Sequence, residues 1–184
     1  VASHLTFVER LADGVTASTI GKFRLAVVAG VADPGPEVTE QEVLQARPQL
    51  AELAAAARAV GSGITAAIPP DIARRVLADD ADLNGELIAA LAASELVELP
   101  SQPLDASAAA AADGLAATLA ELREGGADQL AQQFPGVEQT GSVWLVDEPI
   151  TREGAALLAD LGVTALVVPY DHYAELPGNV AGFT

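Results

Sequence analysis

Gly141-Ser-Val-Trp-Leu-Val-Asp-Glu-Pro-Ile150, followed after a helical stretch by Gly162-Val-Thr-Ala-Leu-Val-Val-Pro-Tyr-Asp-His172, reads as strand, acidic loop, helix, strand, acidic loop. Ser142–Val146 and Thr164–Val168 are short apolar runs, the pattern of strands buried on both faces of a parallel sheet. Between them, Thr151 is placed to cap a helix, Glu153 falls in its positively polarised first turn, and Gly162 stops it.

The same rhythm extends backwards. Phe23–Val31 is a near-continuous apolar strand, broken by Asp33-Pro-Gly-Pro. Thr39–Val60 reads as helix, with Leu50, Leu53, Ala54, Ala57 and Val60 on one face and Gly61 at its end. Ile64–Ile68 is a second strand, and Pro69-Pro70-Asp71 turns directly into a helix, since Pro is tolerated at a first helical position. Asp82 is expected to cap a further helix carrying Leu83, Leu87 and Leu91. Leu96–Leu99 is a third strand. Ala106–Leu122 reads as one long alanine-rich helix ended by Gly125-Gly126, with a separate short helix over Ala127–Gln133. Alternating strands and helices imply an α/β fold with parallel strand-helix repeats and right-handed crossovers. Part of a distorted β/α barrel is the first expectation, and a doubly wound open sheet is the alternative. Residues 1–22 read as a connector or the tail of a preceding domain, and 23–184 as one β/α domain. The chain starts at Val1 and stops at Phe183-Thr184, so a segment of a longer protein is expected, cut short at its C-terminus.

The 184 residues hold 9 Lys and Arg against 26 Asp and Glu, a formal charge of −17. Nucleic-acid binding needs clustered cations to neutralise phosphate. The only Lys is Lys22 and only Arg74 and Arg75 are adjacent, so nucleic-acid partners and adhesion to an anionic membrane surface are not expected. No apolar run is long enough to span a bilayer, so no membrane contact is expected of this segment. Cys is absent, which excludes disulfides, thiolate chemistry and Cys-ligated zinc.

In a parallel sheet the C-terminal strand ends share one edge, where α/β folds place their ligand sites. That edge should collect Asp33, Asp71, Gln102, Asp105, Asp147, Glu148, Asp171 and His172, with Trp144 and Tyr170 nearby. Paired carboxylates there can do acid–base work. Each residue also has an ordinary structural role open to it. Asp71 suits a helix first turn, Asp105 an N-cap, Asp33 a turn and Trp144 the core. Successive residues of an extended segment point to opposite faces, so only one of Asp147 and Glu148 faces a pocket easily. Trp144 and Val146 should share a face. His172 and His4 are the only histidines, and neither His-x-x-x-His nor His-Glu-x-x-His occurs, so no metal site or cofactor is expected. Asp79-Asp80-Ala81-Asp82 lacks the Gly and distal Glu of a calcium loop and reads as a capping turn. No Gly-x-Ser-x-Gly elbow is present.

The phrases Ile64-Thr-Ala-Ala-Ile-Pro-Pro70, Leu99-Pro-Ser-Gln-Pro-Leu-Asp105, Val143-Trp-Leu-Val-Asp-Glu-Pro149 and Gly154-Ala-Ala-Leu-Leu-Ala-Asp-Leu-Gly-Val163, in this order, resemble the β/α repeats of NodB-like polysaccharide deacetylases and family-57-type glycoside hydrolases. More narrowly, the chain resembles a barrel-like domain of large secreted or membrane-anchored proteins of high-GC Gram-positive bacteria. The resemblance covers residues 23–170. It implies an extracytoplasmic, cell-envelope location, with a glycan, an envelope protein or other domains of the same chain as partners. It also implies paired Asp after the first strand and a His-x-x-x-His after the second. Here the first strand ends Val31-Ala-Asp33 and the second ends Ile68-Pro-Pro-Asp-Ile, so the metal-binding pattern is missing.

Two functions follow as expectations. One is a non-catalytic deacetylase- or glycosidase-like domain that serves as a scaffold or binds a glycan or protein. The other is a metal-independent glycoside hydrolase or transglycosidase, with Asp147 or Glu148 as one carboxylate and Asp105, Asp171 or Asp33 as the other. Trp144, Asp33, Gln102, Tyr170, Asp171 and His172 are the candidate binding residues.

Overall fold

The computed structural model describes residues 28–31, 38–60, 63–146 and 149–168. Its strands are β1 (Val28–Gly30), β2 (Thr65–Ala67), β3 (Glu95–Val97), β4 (Glu138–Thr140), β5 (Val143–Leu145) and β6 (Ala165–Val167). Its helices are α1 (Glu40–Val60), α2 (Pro70–Leu77), α3 (Ala81–Leu91), α4 (Ala106–Ala111), α5 (Leu115–Gln133) and α6 (Arg152–Asp160). The α/β class with parallel strands read from the sequence is therefore present. The expected connector over 1–22, the first part of the Phe23–Val31 strand and the Gly61 helix stop lie outside the described residues.

β1 to β4 form a parallel sheet in the order β1-β2-β3-β4, and β5 pairs in parallel with β6. A right-handed crossover always deposits its helix on the same side when the strand order runs in one direction. The core follows that rule. Ala29, Ala66 and Leu96 lie side by side in the ladder and pack into one cluster with Leu50 of α1, Ile72 of α2, Leu87 of α3 and Leu130 of α5. Among the described strands the order never reverses, and such a reversal is what defines a doubly wound sheet.

The break between the two sheets is a bend within one extended run. β4 ends at Thr140 and β5 begins at Val143. The Thr140 carbonyl accepts from the Glu98 amide at 3.0 Å, on the first sheet. The Ser142 carbonyl accepts from the Thr164 and Ala165 amides at 2.8 and 3.0 Å, on the second. The strand expected over Ser142–Val146 thus has an unforeseen forerunner in the polar segment Glu138-Gln139-Thr140. A second cluster is built from Ala106, Ala109, Leu119, Trp144 of β5, Val146, Leu158 and Val163.

Most local signals act as expected. Pro70 opens α2. Asp105 caps α4 through the Ala108 amide at 2.6 Å, and Thr151 caps α6 through the Gly154 amide at 3.0 Å. Gly162 takes φ +87° directly after α6. Four expectations are corrected. The α3 cap is Asp80, whose Oδ1 accepts from the Leu83 amide at 3.1 Å, and Asp82 falls in the first turn. Val60 closes α1 but is 43% exposed and leaves the buried face. The helix expected over Ala106–Leu122 is broken at Ala112–Gly114, where Gly114 adopts φ +83°, a region that disfavours side chains. Finally, Gly125-Gly126 does not end a helix: α5 runs through both.

Gly126 has a packing reason to be glycine. A Cβ there would lie 2.8 Å from the Ser101 nitrogen and closer still to the Leu99 carbonyl oxygen. The loop after β3 therefore crosses directly over the helix backbone, and the Ser101 amide donates to the Leu122 carbonyl at 2.8 Å. A similar approach joins α4 to α6, where a Cβ on Gly154 would meet the Ser107 backbone at 2.9 Å. Ser107 Oγ in turn accepts from the Thr151 amide at 3.0 Å.

Candidate functional site

Four of the residues expected at the strand-end edge lie among the described ones: Asp71, Gln102, Asp105 and Trp144. Asp105 is exposed and engaged as the α4 cap. Gln102 is exposed in the bend after β3. Trp144 is 9% exposed and packs in the second cluster, on the same face as Val146, as the alternation of an extended segment requires. Trp144 therefore takes the core position. Asp33, Asp147, Glu148, Tyr170, Asp171 and His172 lie outside the described residues. Asp71 sits in the first turn of α2, where its Oδ1 accepts from Arg74 at 2.8 Å.

The feature that sequence reasoning missed is Arg123. It lies on the buried stripe of α5 formed by Leu119, Arg123, Gly126 and Leu130, and only 8% of its side chain is exposed. Its Nη1 donates to the Leu161 carbonyl at 3.1 Å, at the end of α6. Its Nη2 donates to the Gly141 carbonyl at 2.9 Å, in the bend between β4 and β5. Glu98 Oε2, just past β3, stands 3.7 Å from Nη2, an ion pair too long for a hydrogen bond. The guanidinium carbon lies 5.7 Å from the Trp144 ring centroid, within cation–π range. Its Nε has no partner among the described residues. Burial holds the Arg123 pKa below its ordinary value, and the Glu98 carboxylate partly offsets this.

The signal for Arg123 was present in the spacing, because it continues the Leu115 and Leu119 stripe at i+4. A buried arginine at such a position needs fixed acceptors. Gly141 is the residue that lets them come close. A Cβ there would run into the Glu98 carboxylate and lie 3.0 Å from Nη2.

An open cleft of about 480 Å³ borders this group, lined by Glu98, Arg123, Glu124, Gly141, Leu161 and Gly162 among others. Both Nη atoms of the guanidinium already bond backbone carbonyls, so its chemistry here is that of a structural bridge. The carboxylates of Glu98 and Glu124 are the acceptors that face the cleft. Among the described residues, no group of three or more His, Cys, Asp or Glu could hold a metal ion. No described helix is long and apolar enough to cross a membrane. No family model matches the sequence, and neither a curated protein nor a solved structure matches it.

Proposed function

We propose that the chain is a non-catalytic domain of the β/α-barrel type in an extracytoplasmic, cell-envelope protein, where it serves as a scaffold or binds a glycan or protein partner. The observation that carries this reading is the structural use of the chemistry-bearing residues near the strand ends. Asp105 caps a helix, Glu98 pairs with a buried arginine, and Trp144 fills the core against that arginine. β1 to β4 follow one another in sequential order, and β1 to β3 share one core cluster with α1, α2, α3 and α5, the pattern of a barrel wall, which supports the barrel over the doubly wound sheet.

Paired-carboxylate hydrolysis is the competing reading. It needs two carboxyl groups held at a defined separation on either side of a glycosidic bond. Of the acids open to that role, Asp105 already has one oxygen engaged by the Ala108 amide.

The test is to incubate the 184-residue chain with chitooligosaccharides, cellooligosaccharides and insoluble peptidoglycan. Acetate release, reducing ends and retention on the insoluble polymer are followed together. The expected result is no turnover, with or without retention. Turnover abolished by the double substitution Asp147→Asn and Glu148→Gln would overturn the proposal in favour of hydrolysis.

A further inference from the structure

We propose that Arg123 is a latch across a seam between two cooperative units of this domain, and that the unit containing β5, α6 and β6 opens separately about Gly141–Ser142. The two hydrophobic clusters define the units. The first holds β1 to β3, α1 to α3 and the C-terminal half of α5, through Leu130 and Phe134. The second holds α4, β5, α6 and the N-terminal half of α5, through Leu119. α5 is thus shared, and Arg123 lies between Leu119 and Leu130, at the changeover from one core to the other.

The hydrogen-bonded ladder changes hands at the same level. β4 belongs to the first sheet and β5 to the second. Between them stand only Gly141 and Ser142, where Thr140 Oγ1 and Ser142 Oγ lie 2.8 Å apart. Arg123 touches both sides of this bend. It meets Glu98 from the first unit, Gly141 in the bend itself, and Leu161 and Trp144 from the second. Among the described residues the seam is crossed by the loop from β3 to α4, the bent strand, the shared helix α5 and the buried Arg123 side chain, and so narrow a junction between two cores is where separately opening units are expected to part. The cleft beside Glu98 and Gly162 lies along that seam, so opening widens it.

Native-state hydrogen exchange on the 184-residue chain, at denaturant concentrations below the global transition, tests this. The reporters of the second unit are the amides of Val146, Thr164 and Ala165. Those of the first are the amides of Val31 and Glu95, which donate to Ala67 and Ile64. The second set is expected to exchange at least about tenfold faster, through a sub-global opening. Arg123→Met should accelerate the second set by a further factor of about ten while leaving Val31 and Glu95 unchanged. Arg123→Lys, which keeps the charge but cannot bridge two carbonyls with a planar fork, should give the same selectivity in smaller measure. The proposal is overturned if both sets exchange at one common rate in the unsubstituted chain, or if the Arg123 variants shift both sets equally. Where Arg123→Met does not fold, the unsubstituted chain still decides whether the units open separately, and Arg123→Lys decides whether Arg123 latches them.

Discussion

The Arg123 guanidinium lies 5.7 Å from the Trp144 ring centroid, so the chain's only tryptophan rests against a buried cation at the meeting point of two cores. Trp144→Ala should therefore cost about 3–5 kcal/mol, measured by urea unfolding followed by far-ultraviolet circular dichroism. Trp144→Phe, which keeps an aromatic face toward Arg123, should cost less. Equal losses for the two would show that the ring face contributes nothing beyond volume.

The adjacent glycines of α5 should respond in opposite directions. A Cβ on Gly125 meets only the Ser101 side chain, its Oγ at 3.5 Å and its Cβ at 4.0 Å. Gly125→Ala should then stabilise the protein by up to about 1 kcal/mol, the helix-propensity gain. Gly126→Ala brings the same gain but drives a methyl into the Leu99–Ser101 backbone, for a net loss of about 1–3 kcal/mol. Denaturation midpoints of the two variants give the comparison, and a stabilising Gly126→Ala would refute the close crossing of loop and helix.

Asp80 and Asp82 differ in the same way. Removing the cap in Asp80→Ala should cost about 1 kcal/mol. Asp80, itself largely buried, also pairs with the exposed Arg47, so its removal should cost somewhat more than a cap alone. Asp82 acts only through the helix dipole, so Asp82→Ala should cost about 0.3–1 kcal/mol, at the low end in salt. Raising the ionic strength should shrink the Asp82 effect and leave most of the Asp80 effect.

Thr39 and Glu42 form a capping box at the start of α1. The Thr39 amide and hydroxyl donate to Glu42 Oε2 at 2.7 and 2.6 Å, and the Glu42 amide donates back to Thr39 Oγ1 at 3.3 Å. The hydrogen bonds from the Thr39 side chain and then its backbone hold the Glu42 carboxyl below its ordinary value of 4.5. A carboxyl depressed in the folded state stabilises the fold above its unfolded pKa, and that contribution is lost as pH falls through the folded pKa. The stability gap between the unsubstituted chain and Glu42→Gln should be constant near neutrality and close progressively below pH 4.5. A gap that does not change with pH would refute the charged capping box.

What was legible in the sequence was local. Thr151, Asp105, Pro70 and Gly162 act within one helical turn, so their neighbours in the chain suffice to read them. The strands Ile64–Ile68 and Thr164–Val168 announce themselves as apolar runs. The continuity of α5 was not legible, because Gly125-Gly126 looks like a helix stop until the loop from Leu99 is laid across it. β4 was missed because Glu138-Gln139-Thr140 carries no apolar signal and is a strand only through pairing with β3. Asp105 could be read as a cap from its place before Ala106. Arg123 could not be matched with Glu98, Gly141 and Leu161, since nothing short of the folded chain brings those partners together.

The sequential order β1-β2-β3-β4, continued by β5-β6, has a consequence for synthesis. In a sheet whose order reverses, a later strand can dock on the far side of the first one. Here each described strand finds its partner in the strand made just before it, or continues the run that precedes it. The chain can therefore be added to its sheet in the direction the ribosome delivers it, each new strand docking on the edge left by the one before.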